Sequence, residues 1–158
     1  MKKTLISLLI LFAGVSAQAQ TPGELFAQFK GKKNAEYVHF GRLLFTLLRP
    51  IVNHYADDST ARTAMRSIRS LRVLDLEDCS TSVKQHFLEK AKDLSTAGYE
   101  TIVSSNLDGE RSLVLIKQKK NAIRELLVVS ADESDCSFVQ LKGKIKPNDI
   151  STLVKNVK

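Results

Sequence analysis

Between Tyr99 and Lys142 the chain holds four short runs rich in aliphatic and β-branched residues: Tyr99–Ser105, Arg111–Lys117, Ile123–Ser130 and Cys136–Lys142. Asp108-Gly109 and the Lys119–Asn121 region fall between the first three, and turns that short join antiparallel neighbours. An earlier run, SLRVLDLE, reads as another strand with Leu74 and Leu76 on one face. Tyr37–Phe40 could begin one more. Most of the chain is therefore committed to a largely antiparallel sheet of about five strands, and the remaining segments must cover it.

Those segments carry helical periodicity. Gly23–Lys30 presents Leu25, Phe26 and Phe29 on one face. In RLLFTLLRPIVNHY the residues Leu43, Leu44, Leu47, Leu48, Ile51 and Val52 form a stripe expected to face the core, with Pro50 kinking the segment or opening a second short helix. Asp58 or Ser59 can cap a further helix with Ala61, Ala64, Met65 and Ile68 buried. Ser82-Val83-Lys84-Gln85 fits a capping box, and Val83, Phe87, Ala91 and Leu94 continue a helix that Gly98 can end. Pro147 suits the first turn of a last helix with Ile150, Leu153, Val154 and Val157 buried. The order of these elements gives an α+β fold with the helices packed on one face of the sheet.

The first nineteen residues combine Lys2 and Lys3, an apolar run from Leu5 to Ala13 and the small-residue ending Ala17-Gln18-Ala19. This order is that of a secretory signal peptide cleaved after Ala19; the run is too short to cross a bilayer. No cysteine follows the cleavage point to take a lipid. Residues 20–158 are expected to be one α+β domain, periplasmic or secreted, with no transmembrane segment. Loss of Lys2 and Lys3 would take the formal charge from +7 to +5. Such mild basicity suits solubility or an anionic surface, and an exported chain with 6% aromatic residues and no recognition motif argues against nucleic acid.

Export also bears on Cys79 and Cys136, the two cysteines of the chain. Thiols outside the cytoplasm tend to pair, and each has only the other. Both sit among carboxylates, Asp78 and Glu77 beside Cys79, Asp135 and Glu133 beside Cys136, which disfavour a reactive thiolate. His86 falls inside a helix that starts after Cys79, so the spacing does not aim its ring at the sulfur. Zinc is disfavoured too, because His39, His54 and His86 are scattered and no C-x-x-C occurs. A Cys79–Cys136 disulfide is expected, with two free buried thiols as the alternative. It would close a loop of 58 residues, 79 to 136 inclusive, worth roughly 4 kcal/mol in chain entropy. It is easiest to form if the first long strand and the last are antiparallel neighbours.

No G-x-S-x-G, H-E-x-x-H, phosphate-binding loop or dinucleotide fingerprint occurs, and neither catalytic residues, metal ligands nor a cofactor are assigned. Glu125 is the polar residue to examine, since strict alternation places it on one strand face with Ile123, Leu127 and Val129, where it either meets a basic partner, as an ion pair or at an edge, or sits in a site. Tyr99 reads as a core ring with its hydroxyl at the surface. Lys117, Lys119 and Lys120 crowd one hairpin tip, while Lys142, Lys144 and Lys146 lie at and beyond the last strand. At one end of the sheet together they would make a patch that attracts anions or a partner; the reading favoured for these lysines is a solvated, edge-protecting role.

Several stretches carry a resemblance: IRSLRVLDLE, Gly98-Tyr99 opening a strand, Asp108-Gly109 in the following turn, Arg124-Glu125-Leu126, and Leu141-Lys142-Gly143 before the last helix. With the ELFAQF and YVHFGRLLF segments, they make the chain similar to the small exported bacterial proteins of domain-of-unknown-function family 4252. The resemblance implies a Gram-negative envelope setting and carries over no catalytic residues. The function expected is a non-enzymatic envelope module binding a protein partner or an anionic surface component. The alternative is a small extracytoplasmic hydrolase or thiol enzyme whose site is built from scattered residues.

Overall fold

A computed structural model describes residues 20–47 and 66–149. The expected signal segment, Pro50 with Leu48, Ile51 and Val52, the Ala61–Met65 stripe and the Ile150–Val157 face lie outside the described residues. Within them the order is α1 (Pro22–Phe29), β1 (Glu36–Phe40), β2 (Ile68–Asp75), α2 (Thr81–Lys92) continued by a 3-10 turn, β3 (Glu100–Leu107), β4 (Glu110–Lys119), β5 (Ala122–Ala131) and β6 (Cys136–Ile145). The six strands form one sheet in the order β1-β2-β6-β5-β4-β3, and every neighbouring pair is antiparallel. The fold is α+β, with six strands where about five were expected.

Turn chemistry builds the β3–β4–β5 meander. Leu107 faces Glu110 and Lys119 faces Ala122, so each connection is a two-residue loop. Asp108 and Gly109 have φ of 50° and 85°, Lys120 and Asn121 50° and 55°, the doubly left-handed form whose twist matches that of the flanking strands. β6 then returns to pair with β2, so the first long strand and the last are antiparallel neighbours, the arrangement that would best suit a Cys79–Cys136 bridge.

α1 and α2 cover one face of the sheet. Thr21 caps α1 through its hydroxyl to the Glu24 N–H at 3.3 Å, and the Glu24 carboxylate takes the Thr21 N–H at 2.8 Å. The capping box is thus in Thr21-Pro22-Gly23-Glu24. The box expected at Ser82 does not form: Ser80 is the N-cap of α2 and its side chain caps nothing, lying instead 3.1 Å from the Ser82 hydroxyl. At the other end, Gly98 with φ 82° closes the 3-10 turn after α2. Leu25, Phe26 and Phe29 of α1, with Phe87, Ala91 and Leu94 after them, pack on Leu74, Leu115, Leu127 and Phe138.

The opposite face is apolar as well. Ile68, Val114, Ile116, Ile123, Leu126, Val139, Leu141 and Ile145 form a second core, against which Phe45 packs. Such two-sided burial follows from the near-continuous apolar runs Leu113–Ile116 and Leu126–Val129. Residues 42–47 are helical, but Leu43 and Leu47 are 76% and 65% exposed, contrary to the stripe expected there. Turning Phe45 onto the sheet sets the phase of this turn and points those two leucines outward. Ile68, expected at the end of a helix stripe, opens β2.

Candidate functional site

The tight β4–β5 turn and the return of β6 decide where the lysines go. Lys117 and Lys119 leave β4 at the end where β5 begins, Lys120 occupies the turn, and Ile123 pairs with Ile145, so β6 finishes beside them. Lys142, Lys144 and Lys146 therefore reach the same end of the sheet as Lys117, Lys119 and Lys120. Arg69, exposed at the start of β2, lies at this end too. Carboxylates collect at the opposite end: Glu36 and Asp75 at strand termini, Glu77 and Asp78 just beyond β2, Asp132, Glu133 and Asp135 between β5 and β6.

Glu125 sits among the lysines. Register places Lys117, Glu125 and Lys142 in one row across β4, β5 and β6. Glu125 Oε2 accepts the Tyr99 hydroxyl at 2.7 Å and the Gln140 amide at 2.9 Å, with Lys142 Nζ at 3.8 Å. Lys117 Nζ stands 5.1 Å from the Tyr99 ring centre. Burial raises the pKa of Tyr99, and the bond to Glu125 and its negative charge raise it further, so the phenol stays protonated and donates. The basic partner expected for Glu125 is present, but the hydroxyl of Tyr99 is turned to Glu125 instead of lying free at the surface.

Two details escaped sequence reasoning. A register shift on both sides of Arg124 makes a bulge in β5, which sends Ile123 to the second core while Leu127 and Val129 stay with Glu125. Strict alternation was thus wrong for Ile123. Gln140, 2% exposed, is the other; its Nε2 serves Glu125, while its Oε1, like Nε of the neighbouring Arg72, has no hydrogen-bond partner among the described residues. Its signal was a lone amide in the otherwise apolar run Phe138–Leu141.

The cysteines are close in the chain fold but unbridged. The Leu76 N–H donates to the Cys136 carbonyl at 2.8 Å and the Cys79 N–H to the Leu76 carbonyl at 3.0 Å. Both thiols are free and buried, so the expected disulfide is not formed. Cys79 Sγ instead donates to the Lys33 carbonyl at 3.4 Å, and Cys136 packs in the helix-side core. Burial pushes the Cys136 thiol up to about 12 and raises that of Cys79, with neighbouring carboxylates adding to both against the pull of Lys84. His86 is engaged elsewhere, 3.0 Å from the Gln28 amide and against the Phe29 ring. This arrangement lacks the thiolate and the base that nucleophilic chemistry requires.

A pH prediction follows from Cys136. Its folded pKa lies above the ordinary value of 9.0, so the folded protein keeps a proton that the unfolded chain releases. The stability that this proton secures is complete below pH 9 and is lost as pH rises from 9 towards 12. Urea unfolding across that window should show a fall that is visibly shallower in Cys136→Ala, and iodoacetamide at pH 8 should leave Cys136 unmodified until urea is added. Rapid alkylation of the native protein would contradict it.

Two other features have ligand-like geometry. Carboxylate oxygens of Asp75, Glu77 and Asp135 lie within 4.8 Å of one another. Burial, then Asp75 and Asp132, raise the pKa of Asp135, and that spacing would admit a cation, though nothing beyond the cluster itself points to one. A cleft of about 400 Å³ opens between α2 and the β3–β4 hairpin, floored by Leu88, Ala91 and Leu113 and edged by Thr101, Ser104 and Arg111.

No curated protein and no solved structure matches the chain. A family model does match, over residues 29–153, which include the whole six-stranded sheet, the Glu125 cluster and the lysine end; the chain belongs to the family described as domain of unknown function (DUF4252).

Proposed function

We propose that the chain is an exported, non-enzymatic module of the cell envelope whose lysine end holds an anionic surface component. The observation that carries this reading is the convergence of Lys117, Lys119, Lys120, Lys142, Lys144 and Lys146 on one end of the sheet, where Glu125 lies among them, while Glu36, Asp75, Glu77, Asp78, Asp132, Glu133 and Asp135 gather at the other. A charge distribution of that kind orients a molecule in the field of an anionic surface as well as attracting it. Export rests on the Met1–Ala19 segment.

The test uses vesicles of neutral lipid and vesicles containing anionic lipid, with the purified chain and a variant carrying Lys119→Gln, Lys120→Gln, Lys144→Gln and Lys146→Gln. Lys117 and Lys142 are spared because they touch Tyr99 and Glu125. Near an anionic surface each lysine contributes about 1 kcal/mol, so four losses should weaken binding roughly a thousandfold. Binding should also fade as salt rises towards about 0.3 M, where screening shortens its reach. Equal binding to neutral vesicles, or equal binding by the variant, would overturn the reading. So would turnover of an ester, peptide or glycoside substrate that a single substitution abolishes.

A further inference from the structure

The sheet has two edges, and they differ. β1 is five residues long and carries Glu36 and His39, with Lys30 lying over its Tyr37 ring. β3 is eight residues long, Glu-Thr-Ile-Val-Ser-Ser-Asn-Leu, and all but Ser105 are exposed. It holds no lysine, arginine, proline or glycine, the residues that ordinarily blunt an edge against pairing. Ile102, Val103 and Leu107 are 40%, 43% and 69% exposed. Among the described residues no strand lies on its outer side.

The register shift in β3 falls between Thr101 and Val103, so Val103–Leu107 is a regular run, paired to β4 from Val114 to Glu110 without interruption. That run, Val-Ser-Ser-Asn-Leu, is nearly symmetric about Ser105. Folded against itself in antiparallel fashion, it sets Val103 opposite Leu107, Ser104 opposite Asn106, and Ser105 opposite Ser105. Apolar residues meet apolar ones on the face shared with Val114, and hydroxyl meets amide on the face shared with Leu113. Glu100, the one charge on the strand, lies outside the run, so no like charges are brought together.

We propose that β3 is a self-association edge: two copies of this chain pair antiparallel through Val103–Leu107 about a two-fold axis at Ser105, joining two six-stranded sheets into one. Such an interface is isologous and closes after two copies, since the run it uses is consumed and β1 offers nothing like it. It is a small interface made mainly of main-chain bonds, so the dimer is a weak one that forms as concentration rises. The pairing is independent of the lysine end and needs none of its residues.

Sedimentation velocity of the purified chain over about 10 μM to 1 mM tests this, a range suited to a small interface. The wild type should move from monomer towards twice that mass. Ser105→Lys sets two ammonium groups face to face at the axis and should remain monomeric throughout, with an unchanged thermal midpoint showing that the fold is intact. Ser105→Thr, which keeps a hydroxyl and favours a strand, should dimerise like wild type. A wild type that stays monomeric at every concentration, a Ser105→Lys variant that dimerises equally, or assembly beyond two copies would each overturn the proposal.

Discussion

Replacing Gly143 with alanine should destabilise the protein by about 3 kcal/mol, the upper part of the range for overpacking a tight site. A Cβ at this position would overlap the Ser67 carbonyl oxygen and stand 3.0 Å from the Ser67 carbonyl carbon and 3.1 Å from the Ile68 Cα. All three atoms are backbone, so no rotamer change can relieve the contact. β2 and β6 come this close because the register jumps between Ile68 and Ser70, which bends the start of β2 across β6. To admit a methyl group the Ile68–Gly143 pairing must open, and Ile68, 3% exposed in the second core, would be drawn out with it. Urea unfolding should show a lower midpoint with the slope unchanged. A loss below about 0.5 kcal/mol would mean that β2 can shift at no cost and that the close approach is not a constraint.

Gly143 was visible in the sequence only as a glycine near the end of a strand. Its necessity comes from a carbonyl 76 positions earlier in the chain, 143 less 67, which no local pattern encodes. The same distinction runs through the fold. Asp108-Gly109 and Lys119–Asn121 were legible because a two-residue turn is a local event, and they place β3, β4 and β5 correctly. β1 was barely legible: its pattern of exposed and half-buried residues leaves no apolar alternation, and pairing with β2 alone makes it a strand. The α1 cap is legible in Thr-Pro-Gly-Glu, whereas the Ser82-Val83-Lys84-Gln85 match lacks the box because Ser80 is the N-cap of α2.

The site divides in the same way. Both lysine clusters could be read from composition, yet whether they share an end depends on β6 turning back beside β5, a long-range pairing. Glu125 drew attention as a carboxylate in an apolar strand, and it does meet a lysine and a tyrosine. What alternation could not supply was the bulge at Arg124, which decides which neighbours share its face. For the cysteines, the antiparallel neighbourhood of β2 and β6 was inferred correctly, but the turn after Leu76 carries the Cys79 sulfur to the Lys33 carbonyl. Bringing two chain segments together is a property of topology; aiming two sulfurs at each other is a property of side-chain direction, and the one does not guarantee the other.

Phe138→Ala should cost about 4 kcal/mol, a large share of what a domain of this size possesses. The ring is fully buried on β6, stacked on Phe26 of α1 at 4.6 Å between centres and 5.7 Å from Phe87 of α2. Among the described residues it is thus the one aromatic of the sheet in contact with both helices through their own rings, and its removal leaves a cavity between three elements that cannot all close on it. Phe138→Leu, which fills most of that volume, should cost less than about 1.5 kcal/mol. The lysine end should survive either change while the protein remains folded, because the β4–β5 turn and the end of β6 build it without help from the helices. Anionic-vesicle binding measured well below the unfolding midpoint should therefore stay within about twofold of wild type, a difference of some 0.4 kcal/mol. If binding fell in step with stability, the helix-bearing face would have to belong to the binding surface, and the charge-based assignment of the site to one end of the sheet would be wrong.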